Sequence, residues 1–126
     1  MTVHAGFTWA AAAVSLVTCV GHTFAGGPQV AKPILAAPDL PDLAKWLGYF
    51  CWHVTTLLVL MSAAGFAYGA LHPDRPELVV FLTILSGLIW VLSLGITVTG
   101  MVGARRNPGV WLFGLITLLG IAALTL

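Results

Sequence analysis

The sequence predicts an all-α polytopic membrane protein, a single domain built as an antiparallel bundle of four transmembrane helices. Two observations predict this class. Of the 126 residues, 60% are hydrophobic and only 7% are charged, whereas roughly a quarter of the residues in an ordinary soluble domain are charged. The chain also contains four long apolar runs, and a run of about 20 apolar residues can cross the hydrocarbon core of a bilayer.

The four apolar runs give the expected elements in chain order. We expect membrane spans at residues 7–25, 46–71, 78–102 and 110–126, with an interfacial loop at residues 26–45. The second and third spans are longer than the core of a bilayer requires, so we expect them to tilt or to extend into the headgroups.

Short polar segments separate the later spans. Residues 72–77 include two prolines, which stop helices, so the second and third spans form an antiparallel hairpin. Asn107, Pro108 and Gly109 supply a capping side chain, a first-turn proline and a flexible approach. These three residues predict the start of the fourth helix.

The distribution of basic residues predicts the orientation. Lys32, Lys45, Arg105 and Arg106 fall on one side of a four-span chain, and only Arg75 falls on the other. Because Lys and Arg concentrate in cytoplasmic loops, both termini are predicted to lie on the non-cytoplasmic side. We expect the membrane to be the inner (plasma) membrane of a bacterium.

Composition also narrows the partners and the chemistry. The net charge of +1 and the absence of a Lys/Arg-rich run argue against nucleic acid as a partner. Two cysteines, Cys19 and Cys51, are too few for a disulfide scaffold. None of the four predicted spans contains Asp or Glu, so proton transport through an intramembrane carboxylate is disfavoured. The expected partners are the lipid bilayer and other membrane proteins or further copies of the chain.

Small and hydroxyl-bearing residues recur at helical spacing and predict the faces that pack inward. Glycine lets helices approach closely in lipid, and hydroxyls bond across helices or back to their own backbone. In the second span, Gly65 and Gly69 form such a pair four residues apart. The first span carries a longer stripe on one face: Thr8, Ala11, Ser15, Thr18 and His22.

Two histidines exceed what packing requires. His22 lies about 7 Å inside the expected break at Gly27, and His53 lies about 10 Å inside Trp46, so the two are nearly level on adjacent antiparallel helices. Ionisable side chains at membrane depth are rare and mark candidate functional sites. By contrast, His4 and His72 fall near the opposite boundary, where we expect them to be exposed and without a role.

The histidine pair suits more than one chemistry. His22 and His53 are candidate axial ligands of haem b, in a slot lined by candidate residues Tyr49, Trp52, Thr18 and Thr56. Adding Cys19 gives a candidate site for a soft transition metal. Cys51 fits less well, because residues two apart on a helix point about 200° apart. In the alternative interpretation both histidines hydrogen-bond neighbouring groups and serve packing alone.

A resemblance accompanies these residues. The triplet at Gly26, Gly27 and Pro28 follows a His-containing first span, and Trp52 precedes His53 in the second. In these features the chain resembles small uncharacterised bacterial inner-membrane proteins with four predicted helices. The resemblance covers mainly the first half of the chain, and it implies no activity, cofactor or catalytic residue.

These observations leave three functional expectations. The first is a non-enzymatic accessory or assembly component of a membrane complex, which suits the short loops and the small-residue faces. The second is a haem- or metal-binding protein for electron transfer or sensing that uses His22 and His53. The third is a small oligomeric transporter or channel built around the Thr and Ser faces.

Overall fold

The computed structural model describes residues 2–126, and these residues form helices and connecting turns without a strand. Four helices are long and apolar enough to cross a membrane, which confirms the predicted all-α, four-span class. The first is continuous and changes type along its length. The elements are α1 (Val3–Val20), a π-helix (Gly21–Ala31), α2 (Lys32–Ala36), α3 (Asp42–Leu71), α4 (Glu77–Val98), a 3₁₀ turn (Ala104–Arg106) and α5 (Pro108–Thr125).

The first helix extends farther than its sequence suggests. The expected loop at 26–45 is helical up to Ala36 and again from Asp42, so only residues 37–41 connect the two helices. Glycine and proline are local stop signals in an α-helix, and here the chain passes them as a π-helix with Pro28 inside it. The stop comes at Ala37, which is extended, as expected for the residue before a proline.

The remaining boundaries follow their sequence signals closely. The α3–α4 hairpin turns at the predicted polar segment, and Glu77 lies in the first turn of α4, where a negative charge is favourable. Helix α4 ends at Val98, short of the expected residue 102, and Gly100 follows with a φ of +75°. The Asn107 side chain accepts a hydrogen bond from the Gly109 N–H and caps α5 at the predicted start.

Helix α1 lies at the centre of the packing. It contacts α3 on one side and α5 on the other, and α4 packs on α5. Contact between α3 and α4 is less extensive and includes the two glycines beside their connecting turn. A β-carbon built on Gly65 would lie 2.7 Å from Leu82 Cδ1, and one on Gly69 would lie 2.5 Å from Val79 Cγ2. These glycines therefore allow the close approach that the small-residue pair predicts.

The predicted polar face of α1 is buried. Thr8, Ser15 and Thr18 are all enclosed by neighbouring helices. Each hydroxyl donates to the carbonyl four residues earlier, to His4, Ala11 and Val14 respectively. Their hydrogen-bonding needs are thus met within α1, and their small size serves helix contact.

His4 departs from the expectation of an exposed, unengaged ring. It is half-buried, and its Nδ1 atom hydrogen-bonds the carbonyl of Ala123 in α5. Because α1 and α5 are neighbours, the first and last turns of the bundle meet here. The sequence could not indicate this contact, since the two residues are 119 positions apart.

The two halves of the chain differ in length. The first helix has 34 residues and α3 has 30, so that α3 measures about 45 Å, whereas α4 (22) and α5 (18) measure about 33 and 27 Å. Pro108 at the start of α5 lines the same pocket as Gly26 and Trp52. The pocket wall ends at Val30 on the first helix and at Trp52 on α3. Residues 31–51 therefore extend beyond the start of α5, by about 15 Å along α3, and we call this segment the projecting hairpin.

Candidate functional site

A pocket of about 400 Å³ lies where the π-helix, α3 and the start of α5 meet. Three pairs of π-helix residues line it: Gly21 and His22, Ala25 and Gly26, and Gln29 and Val30. π-Helical segments are rare and frequently occur at functional sites. The wall is mainly apolar. The residues that define its character are Thr18, His22, Gly26, Gln29, Trp52, Arg106 and Phe113.

Trp52 lies flat against the first helix. Its indole stacks on the His22 ring, with ring centroids 3.8 Å apart and an interplanar angle of 16°. A β-carbon on Gly26 would lie only 2.8 Å from the indole Cη2 atom. Gly26 therefore provides the room that the indole occupies. In the sequence, this glycine and its neighbours predicted a break in the helix.

His22 is held by a hydrogen bond as well as by stacking. Its Nε2 atom lies 3.2 Å from the Trp52 carbonyl oxygen. A carbonyl only accepts, so Nε2 carries a proton and donates. The Thr56 hydroxyl donates to the same oxygen, also at 3.2 Å. In its neutral form the His22 ring keeps Nδ1 as an acceptor, and as an imidazolium it has a second N–H to donate.

Of the other predicted ligand and lining residues, two lie beside His22 without lining the pocket. Cys19 is buried, and its thiol donates to the Thr56 carbonyl oxygen at 3.7 Å. Thr56 uses its hydroxyl on Trp52, as described above. Thr18 does line the pocket, with its hydroxyl directed to Val14. The structure therefore groups His22, Trp52, Thr18, Thr56 and Cys19 at one point of the contact between the first helix and α3.

The structure does not bring His53 to this group. His53 is exposed, and its ring meets Tyr49 edge-on at 4.4 Å and 86°. Across residues 2–126, no hydrogen bond or ring contact joins His22 with His53, and no group of three or more His, Cys, Asp or Glu side chains is placed to hold a metal ion. Haem or metal ligation by this pair stays a prediction, and it requires His22 Nε2 to exchange its carbonyl partner for the metal or His22 to ligate through Nδ1.

Arg106 and Gln29 are pocket residues that the sequence analysis did not assign to a site. Arg106 ends the 3₁₀ turn, which the Trp111 indole N–H supports by donating to the Ala104 carbonyl at 3.0 Å. Gln29 donates to the Ala25 carbonyl at 3.0 Å. Arg106 counted only as a signal of orientation in the sequence, because nothing local indicates that α5 begins beside the π-helix.

The electrostatics of the pocket are one-sided. Its wall contains the Arg106 guanidinium and the His22 imidazole and includes no carboxylate. Within the described part of the chain, the ion pairs are Lys45 with Asp42 and Arg75 with Asp74, so Arg106 forms none. Among the residues that the structure describes, no carboxylate pairs with the Arg106 cation of the pocket.

A second, larger groove of about 810 Å³ runs between α3 and α4 on the outer surface of the bundle. Its lining is aliphatic and aromatic, and the hydroxyls in it belong to Ser62 and Tyr68. Ser62 donates to the Leu58 carbonyl at 2.8 Å. This groove has the character of a surface that faces lipid tails.

The sequence matches no family model, and it matches neither a curated protein nor a solved structure. Fold and site still define a class. This is a multi-pass α-helical membrane protein with a basic pocket at one end of the bundle and an apolar hairpin projecting beside that pocket.

Proposed function

We propose that this protein is a non-enzymatic accessory or assembly component of a membrane complex, and that the projecting hairpin is its docking element. One observation carries the proposal. The hairpin exposes large apolar side chains beyond the start of α5, including Leu43 at 78% and Trp46 at 63% of their full accessibility. Apolar patches outside the bilayer mark surfaces that bind other proteins.

Helix lengths support a location outside the hydrocarbon core. Helices α4 and α5, at about 33 and 27 Å, match a core of about 30 Å. The headgroup layer adds only about 5–7 Å on each side. A projection of about 15 Å therefore carries the outer part of the hairpin, including Leu43, past the headgroups.

The hairpin is a built element. Its two arms contact each other, since a β-carbon on Gly48 would lie 3.4 Å from Ile34 Cγ2. Lys45 lies 3.9 Å from Asp42 in the first turn of α3. Preorganised helices suit docking because less conformational entropy is lost on binding.

Orientation supplies the side on which the partner would bind. In the proposed topology the hairpin shares its side with Arg105 and Arg106, and that side is cytoplasmic in a bacterial inner membrane. The partner would then be a membrane protein with an apolar surface at its cytoplasmic boundary. A second copy of this chain is the other candidate.

Site-specific photocrosslinking in native membranes tests the proposal. A photoreactive side chain at Leu43 is compared with one at Leu71, a leucine of similar exposure at the opposite end of the same helix. We expect a discrete protein adduct from position 43 and none from position 71. The same adduct should disappear in a Trp46→Asp variant that unfolds at the wild-type temperature.

The outcomes separate the proposed roles. An adduct with a heterologous membrane protein supports an accessory component. An adduct with a second copy of the chain supports self-association instead. Lipid adducts alone at both positions would overturn the docking role of the hairpin.

A further inference from the structure

We propose that the 400 Å³ pocket binds the phosphate head of an anionic amphiphile, with Arg106 as its charge partner. The inference concerns a different surface from the projecting hairpin and does not rest on its docking role. The ligand class follows from three properties of the pocket: its charge, its apolar wall and its depth in the bilayer.

The charge of the pocket selects an oxyanion. Arg106 has no carboxylate within 4 Å among the described residues, and the wall adds the half-buried His22. A guanidinium binds phosphate through paired, charge-assisted hydrogen bonds. When His22 is protonated, its Nδ1–H becomes an additional donor while Nε2 stays on the Trp52 carbonyl.

The apolar wall selects an amphiphile over a free ion. Beside the cation, the pocket is lined by Val30, Leu112 and Phe113. A phosphate alone gains nothing from these side chains, whereas the first methylene groups of an acyl or glycerol moiety bury apolar area against them, at about 0.8 kcal/mol per methylene. The volume of about 400 Å³ lies within the range of small-ligand pockets, roughly 300–1,000 Å³.

The depth of the pocket matches the place where lipid phosphates lie. It is located at the start of α5, the helix whose length of about 27 Å sets the hydrocarbon boundary on this side. Basic pockets between transmembrane helices at the cytoplasmic boundary are a recurring way of binding anionic headgroups. A phosphate monoester is favoured because its charge at neutral pH is about −1.5 to −2.

The chain offers a matched pair of variants for the test. Arg105 is adjacent to Arg106 and also exposed, but it does not line the pocket. Arg105→Gln and Arg106→Gln remove the same charge from the same turn. Neither arginine forms an ion pair in the described structure, so we expect both variants to fold with wild-type thermal stability.

The purified full chain is reconstituted in phosphatidylcholine vesicles with graded amounts of phosphatidate, and bound lipid is counted by native mass spectrometry. We expect one phosphatidate to be retained per chain. Arg106→Gln should weaken retention at least about tenfold, and Arg105→Gln should stay within about twofold of wild type. Inorganic phosphate and glycerol phosphate serve as soluble competitors.

Each result decides the proposal. Equal losses in the two variants would reduce the binding to diffuse surface charge and overturn the pocket assignment, as would full retention in Arg106→Gln. Displacement of phosphatidate by equimolar inorganic phosphate would overturn the amphiphile and leave a free-phosphate site. The Leu43 crosslink is measured in the same variants, so a failure here is distinguishable from a failure of the docking role.

Discussion

The two ends of the bundle use the same residue types to opposite effect. At the end that holds the chain termini, Gly69 brings α3 against α4, and Phe66 is completely buried. At the other end, Gly26 makes room for an indole that forms one wall of a pocket. At one end a glycine allows two helices to pack tightly, and at the other a glycine makes room for a side chain that lines a pocket. A glycine in the sequence therefore predicts a close approach but not which group approaches.

The histidines show the same contrast. His4 bonds the Ala123 carbonyl, and His22 bonds the Trp52 carbonyl, so each links the first helix to a neighbouring helix. His22 also lines a pocket that contains Arg106. A histidine-to-carbonyl bond is thus ordinary packing in this bundle, and the open cation beside His22 is the feature that makes its site a candidate for binding.

Substitution of Gly69 is expected to have the largest effect, because it disrupts the close contact between α3 and α4 at the end of the bundle that holds the chain termini. In Gly69→Leu the new side chain meets Val79, whose Cγ2 would lie 2.5 Å from a β-carbon. Overpacking of this kind costs about 3 kcal/mol. Denaturation of the detergent-purified protein measures the loss.

The control is Gly95→Leu in α4, where a β-carbon would meet nothing within 4 Å. We expect that variant to unfold within about 0.5 kcal/mol of wild type. Equal destabilisation of the two would mean that helix propensity, and not the close α3–α4 contact, decides stability at this end.

The second prediction concerns Asn107, which joins the start of α5 to α4 at the end of the bundle that contains the pocket. The Asn107 side chain donates to the Ser93 carbonyl at 3.1 Å and to the Thr97 hydroxyl at 3.2 Å, and it accepts from the Gly109 N–H. Asn107→Ala removes both the cap of α5 and its link to α4. We expect a loss of about 2 kcal/mol in the free energy of unfolding.

Asn107→Asp is the informative companion variant. It keeps the acceptor for Gly109 and loses the two donated bonds, so about half of the loss should remain. A wild-type unfolding midpoint for Asn107→Ala would show that the hydrogen bonds of Asn107 do not contribute to stability.

The contrast between the ends also separates what the sequence could predict from what it could not. Apolar runs, proline positions and the small face of α1 are local patterns, and the four helices, the α3–α4 turn and the burial of Thr8 and Ser15 confirm them. The helix beyond Gly26 was missed because its glycines and proline read as a stop. Local signals of this kind yield to tertiary contact, here the stacking of Trp52 on the first helix.

The pocket could not be predicted from the sequence, because the spacing of residues along the chain does not determine which helix faces meet. Which residue of α3 meets the first helix is a question of rotational phase, and neighbouring residues differ by about 100°. Trp52 meets His22, so His53 turns away to Tyr49. Arg106 reaches the pocket only because α1 and α5 pack together across the chain.

The third prediction concerns Gly26 beside the pocket, where we expect a smaller loss of stability. Gly26→Leu would displace the Trp52 indole, whose Cη2 would lie 2.8 Å from the new β-carbon. An indole beside a pocket can tilt where a packed helix cannot, so we expect a loss of about 1.5 kcal/mol. Gly27→Leu meets nothing within 4 Å and serves as the control, with the unfolding midpoint and tryptophan emission as readouts.

The smallest predicted effect compares the two histidines directly. His22→Leu loses the bond to the Trp52 carbonyl and the stacked ring, at about 1 kcal/mol. His53→Leu removes an exposed ring and should change the free energy of unfolding by less than about 0.5 kcal/mol.

Absorbance spectra of the oxidised and reduced membrane-purified protein give a second readout that stability does not determine. If the pair ligates haem, both variants lose the Soret band to the same degree despite their unequal stabilities, because each axial ligand is needed. If the pocket geometry instead decides their roles, the spectra show no such band in any of the three proteins, and only the His22 substitution alters phosphatidate retention.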